Sequence, residues 1–174
     1  MGRQFFFSRY RPGLSDRLTT ADEWRARIDM VASFPEPPEI EVIVVAVPTG
    51  IPIGAMCLSS LDEWNGKAEF SVGFCKATGT RAVWESIHAA FAFIFDSLHV
   101  RKLIFYALQG NRQAISLLDR IGARPEGVLV SELVLADSST ASLLRYALFR
   151  ERDWAGLSAH LARIAPLVSP KTGS

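Results

Sequence analysis

From Ala68 to Cys75 the residues alternate, with Ala68, Phe70, Val72 and Phe74 on one side and Glu69, Ser71, Gly73 and Cys75 on the other. A period of two describes a strand with one apolar and one polar face. This strand runs into Lys76-Ala77-Thr78-Gly79-Thr80-Arg81, after which Trp84, Ile87, Phe91, Ile94 and Leu98 recur at helical spacing. A strand, a small-residue loop and a helix in direct succession point to a mixed α/β architecture. Such a junction also suits an anion, because free amides and the positive end of the helix dipole converge there and Gly79 lets a phosphate approach the backbone. An ordinary strand-to-helix turn reads the same way. Neither a Walker lysine pattern nor Gly-x-Gly-x-x-Gly is present, which disfavours nucleoside triphosphates and dinucleotides.

Other elements fall on both sides of this unit. Thr20-Ala21-Asp22-Glu23 fits a capping box ahead of a helix carrying Trp24, Ile28 and Val31, and Phe34-Pro35-Glu36-Pro37-Pro38 ends it. The Val and Ile run from Glu41 to Val47 predicts a strand buried on both faces, paired through Pro48-Thr49-Gly50 with a second strand from Ile53 to Leu61. Beyond the long helix come a strand at Leu103 to Leu108, a helix ended by Gly122, strands near 127–135 and 143–149, and a last helix with Leu157, Leu161 and Ile164. With 174 residues, 49% hydrophobic, the chain suffices for one domain over 1–165, with a frayed tail over 166–174.

Charge narrows the partners. Nineteen basic residues against 18 acidic ones give a net charge of +1, which argues against a nucleic-acid or membrane-surface binder that works by neutralising phosphates. Residues 36–69 hold six acids and one base, whereas 76–124 hold seven bases and three acids. That split suits a cationic amine beside the first region and an anionic cofactor beside the second. Cys57 and Cys75 are too few for a disulfide framework, so a reduced, cytoplasmic setting is expected. The Phe5-Phe6-Phe7 run is cut short by Ser8, Arg9 and Arg11, which does not fit a signal-peptide core. No apolar stretch is long enough to span a bilayer.

The strand from Lys102 to Leu108 leads into Gln109-Gly110-Asn111-Arg112-Gln113-Ala114, then a helix, then Ile121-Gly122-Ala123-Arg124-Pro125-Glu126-Gly127. With Asn111, Gly122, Glu126 and Gly127 so placed, and Tyr146-Ala147-Leu148 and Asp153-Trp154 further on, Ile40 to Trp154 resembles the GNAT-type N-acetyltransferase superfamily. The likeness is to the subgroup of ribosomal-protein N-terminal acetyltransferases in particular. The resemblance implies a mostly antiparallel central sheet with a V-shaped split between two parallel strands, flanked by helices. It implies acetyl-CoA as co-substrate, with no metal, and an acetyl or short acyl group passed directly to a primary amine. The acceptor would be a small molecule, an amino sugar or a protein N-terminus; a degenerate module that binds CoA without catalysis is the competing class.

Carried over residue by residue, the resemblance puts Phe74, Cys75, Lys76, Gly79, Thr80 and Arg81 on the cofactor's pyrophosphate loop and Asn111 on its pantetheine arm. Only Gly79 matches the loop's pattern, since Lys76 and Arg81 replace the usual residues. The amide after Phe74 would meet the oxyanion. Glu69 takes the place of the acid some members use to remove the amine's proton, although a solvated or ion-paired glutamate fits that position equally. The helical positions where members carry a proton donor hold Ala114 and Leu118, and Ser116 is expected to face elsewhere, so the sequence assigns no general acid. His88, His99 and His160 have no partner spacing and receive no role. The Phe91, Phe93 and Phe95 cluster reads as core or as a homodimer contact.

Overall fold

The computed structural model describes residues 39–47, 49–75, 78–135 and 137–166. The predicted helix from Thr20 and the proline loop at 34–38 lie outside these residues, as does Lys76. Six strands, β1 (Glu39–Ala46), β2 (Ile51–Asp62), β3 (Lys67–Phe74), β4 (Lys102–Leu108), β5 (Arg124–Val134) and β6 (Thr140–Phe149), form one sheet in the order β1-β2-β3-β4-β6-β5. Among the described residues three helices accompany it: α1 (Thr80–Ala92), α2 (Arg112–Arg120) and α3 (Ala155–Ile164). A single π-helical turn extends α1 over Phe93–Ser97, and another, Arg150–Trp154, leads into α3.

Every adjacent pair is antiparallel except β3 and β4. The exception follows from the crossover through α1, which returns the chain to the same end of the sheet before β4 starts. The parallel ladder joins three residue pairs, Lys67 with Lys102, Ala68 with Leu103 and Glu69 with Ile104, although β3 runs on to Phe74 and β4 to Leu108. The two strands therefore separate past Glu69 and Ile104, giving the expected split. Its closed end is held by Gly66, whose carbonyl accepts from the Arg101 and Lys102 amides at 2.7 and 3.0 Å. Gly66 has φ +59°, and a Cβ there would lie 3.2 Å from Arg101 Cβ, so the turn before β3 favours glycine twice over.

Alternation divides the central strands. Phe70 and Phe105 point toward α1 and pack with Phe91, with centroids 5.5 Å (Phe70–Phe91) and 6.1 Å (Phe70–Phe105) apart. Phe91 also meets Phe95 at 6.0 Å, and Phe95 meets Trp154 at 5.3 Å. Trp154 donates from Nε1 to Asp96 at 2.8 Å, and buried His88 contacts the Ala165 carbonyl through Nδ1 at 2.9 Å, tying α1 to the C-terminal helix. His88 thus has a packed role. Of the phenylalanine cluster, Phe91 and Phe95 are core, whereas Phe93 is 48% exposed.

The first strand corrects one expectation. The Val and Ile of 41–47 predict burial on both faces, yet β1 is the outermost strand among the described residues, and Val42, Ile43 and Val45 are exposed. A β-branched run reports preference for extended backbone, whereas burial depends on what packs over each face. The strand expected near residue 127 also begins earlier, at Arg124, because Pro125 sits on the other edge strand, where its missing amide costs no ladder bond.

Candidate functional site

Two features meet at the open end of the β3–β4 pair. The first is a groove of about 390 Å³ between the start of α1 and α2, lined by Thr78, Thr80, Trp84, Arg112, Ser116 and Arg120 among others. Arg112, Ser116 and Arg120 recur every four residues and so share one face of α2. Sequence reasoning passed over this basic stripe, although the spacing was legible. Ser116, expected to face away from Ala114 and Leu118, lines this groove, whereas those two do not.

The N-terminus of α1 closes the groove's other side. Gly79 is the N-cap, and no side chain caps the helix. The first intrahelical bond runs from the Val83 amide to the Gly79 carbonyl at 3.2 Å, which leaves the earlier amides of the first turn without a helical acceptor. A Cβ on Gly79 would meet no atom of the described residues within 4 Å, and φ is −64°. Glycine is thus required here neither by backbone conformation nor by packing against the described residues. Arg81 pairs with Glu85, Nε to Oε1 at 2.7 Å, on the exposed side of the first turn.

Phe74 is partly buried against the core, and Cys75 follows it at the end of β3. The amide after Phe74, expected to meet an oxyanion, is already engaged: Cys75 N–H donates to the Ile53 carbonyl at 2.8 Å, and the Thr78 hydroxyl donates to the same oxygen at 2.9 Å. That amide is spent on holding the loop to β2. At the head of α2, the Asn111 side chain caps the helix, its Oδ1 accepting from the Ala114 amide at 3.1 Å.

The second feature is the face of the sheet opposite the aromatic core. Glu39 pairs with Ser59 and Ser59 with Glu69, while Glu41 pairs with Cys57 and Cys57 with Ser71, so three carboxylates share that face. Glu39, Glu41 and Cys57 bring their polar atoms within 4.8 Å of one another. Glu69 stands at the last paired position before the split and is half-buried. Among the described residues no hydrogen bond or ion pair holds its carboxylate, which separates it from an ordinary salt-bridged strand glutamate.

Further along the same face, the bulged residue Glu126 bridges Lys102 at 2.6 Å and Arg145 at 3.2 Å, joining β4, β5 and β6. Tyr106, paired with Arg145, lies between this network and Glu69. Burial above all raises the Tyr106 pKa above its ordinary 10.0; Arg145 pulls it down, and the charges of Glu69, Glu132 and Glu126 push it up. Asp153, in the π-helical turn after β6, has the opposite shift. Its partial burial favours the neutral acid but is outweighed by the Arg152 and Phe149 N–H hydrogen bonds and by the charges of Arg152 and Arg124.

A family model described as an acetyltransferase (GNAT) domain matches residues 4–124. Among solved structures, a GCN5-related N-acetyltransferase from Brucella melitensis is similar at TM-score 0.73 and 19% identity, over 85% of this chain and 66% of that one. A variant of the spermidine N-acetyltransferase of Vibrio cholerae is similar at TM-score 0.68 and 19% identity, over 78% of each chain. At these identities the likeness is one of fold. Comparison with curated proteins gives no match.

Proposed function

The chain belongs to the GNAT acetyltransferase family, and from that premise we propose that it transfers an acetyl or short acyl group from its CoA thioester to a primary amine by direct attack. Members of this family use acetyl-CoA as co-substrate, and the residues present fit it. The uncapped start of α1 and the open space at Gly79 suit the pyrophosphate, with Arg112 and Arg120 across the groove as counter-charges. Asn111 lies beside the split and keeps its proposed place near the pantetheine arm.

The observation that carries the reading is Glu69, a half-buried carboxylate with no partner among the described residues, at the point where the parallel strands part. In this reading Glu69 takes the proton of the incoming amine, directly or through a water, and so keeps the nucleophile neutral. A carboxylate at the mouth of the split suits a cationic acceptor, and a small polyvalent amine is the acceptor in this reading; the fold shared with a spermidine N-acetyltransferase agrees with that choice. The ribosomal-protein subgroup is the second reading, supported by the block from Asn111 to Glu126-Gly127.

A thermal-shift titration followed by an amine screen tests this. Acetyl-CoA is expected to raise the melting temperature, because a ligand bound only by the native state stabilises it. Gly79→Glu is expected to abolish that rise while leaving the free protein folded, since the space is open. An undiminished shift in the variant places the cofactor elsewhere; a shift with no transfer to any amine leaves a CoA-binding module.

A further inference from the structure

Breaking a thioester puts negative charge first on the carbonyl oxygen and then on the departing sulfur. The Cys75 amide is bonded to the Ile53 carbonyl, and Ala114 and Leu118 on α2 carry no ionisable proton. Tyr106 stands in a different place. It lies on β4 two residues past Ile104, the last residue paired with β3, and is therefore inside the split. Its neighbours Phe105 and Ala107 are buried on the aromatic side, so alternation sends the Tyr106 ring to the side of Glu69. The Arg145 guanidinium lies 6.0 Å from the ring centroid. Among the described residues nothing hydrogen-bonds the Tyr106 hydroxyl. A half-buried phenol and a half-buried carboxylate, neither with a hydrogen-bond partner among the described residues, thus flank the mouth of the split.

We propose that Tyr106 is a catalytic residue whose hydroxyl donates a hydrogen bond to the sulfur of the acyl donor as the carbon–sulfur bond breaks. The proposal rests on the acetyl-transfer reading above. Glu69 passes the ammonium proton on to water before attack; the amine lone pair then forms the new carbon–nitrogen bond, the carbon–sulfur pair leaves on sulfur, the nitrogen's second proton passes to the freed Glu69 carboxylate, and Tyr106 keeps its own. The groups facing Tyr106 are Glu69 from β3, Arg145 from β6 and Glu126 and Glu132 from β5. Burial and these carboxylates outweigh Arg145 and keep the phenol protonated at neutral pH. A donor that does not ionise suits a site where anionic charge appears.

Binding of free CoA separates this role from others without relying on turnover. A thiol ionises near pH 8.5, so a hydrogen bond to sulfur makes wild-type affinity for CoA rise about tenfold or more between roughly pH 7 and pH 9.5. In Tyr106→Phe that rise is expected to vanish. Acetyl-CoA, whose sulfur cannot ionise, is expected to bind both proteins alike. Turnover is expected to fall about 10- to 100-fold in both Tyr106→Phe and Tyr106→Leu, with the amine KM unchanged. Full activity in the Phe variant with loss in the Leu variant would reduce Tyr106 to a packing surface for Arg145 and overturn the proposal. A raised amine KM with intact kcat, or an unchanged CoA pH profile in Tyr106→Phe, overturns it too. If the wild type transfers to no amine while the CoA profile still depends on Tyr106, the acetyl-transfer reading falls and the contact with sulfur stands.

Discussion

On one face of β3 and β4, Phe70 and Phe105 interlock with Phe91 under α1; on the other, Glu69 and Tyr106 stand with no hydrogen-bond partner among the described residues. The side chains come from alternate positions of the same two strands. The aromatic face is saturated, each ring touching another edge-on or tilted, and its contribution is to stability. The polar face holds ion-paired groups at its far end, where Glu126 bridges Lys102 and Arg145, and groups without an ion pair among the described residues beside the split. One strand pair can therefore hold a rigid core and a reactive surface within a few ångströms, because the pleat keeps the two apart.

If that division is right, damage to each face gives a different signature. The largest effect is expected from Phe91→Ala, which removes a ring 1% exposed and costs about 3 to 5 kcal/mol of stability, read from the denaturant midpoint. At temperatures where the variant remains folded, the amine KM is expected to hold. Glu69→Gln is expected to do the reverse: turnover falls about 10² or more near neutral pH, equivalent to about 2.7 kcal/mol of barrier, with unfolding unchanged. Raising the pH partly restores it, since the amine then arrives neutral. A Glu69→Gln variant that loses activity only as it unfolds erases the distinction between the faces.

Two smaller effects sharpen the boundary between structure and chemistry. Asn111→Ala removes a helix cap and is expected to cost about 1 kcal/mol of stability, whereas Asn111→Asp keeps the acceptor and the stability. Loss of acyl-CoA use in both variants marks a role beyond capping; loss that follows stability alone confines Asn111 to the fold. Asp153→Asn is expected to cost about 1 kcal/mol at neutral pH, since the Phe149 amide and Arg152 lose a charged acceptor. The folded-state pKa of Asp153 lies below its ordinary 3.8, so its contribution is present above that value and disappears as the pH falls through the folded one. Wild type and variant are therefore expected to begin converging in stability below about pH 4 and to meet only beneath the folded-state pKa, as measured by chemical unfolding across pH.

Local periodicity and punctuation determined much of this molecule. The alternation from Ala68 to Phe74 placed Glu69 opposite Phe70, the spacing from Trp84 to Leu98 gave the long helix, and Gly79 and Asn111 fell at the helix starts. These are decided within a few residues by backbone preference and by which side chains must leave water. Contacts between distant segments decided the rest. Glu41 to Val47 reads as a strand buried on both faces until the fold leaves Val42, Ile43 and Val45 exposed, and the Cys75 amide looks open until β2 supplies the Ile53 carbonyl. Tyr106 is one more strand residue until the parallel register sets Ile104 beside Glu69 and the strands separate one step later. That register is fixed by the Gly66 carbonyl holding Arg101 and Lys102, some 35 residues on in the chain, and no window of sequence records such a bond.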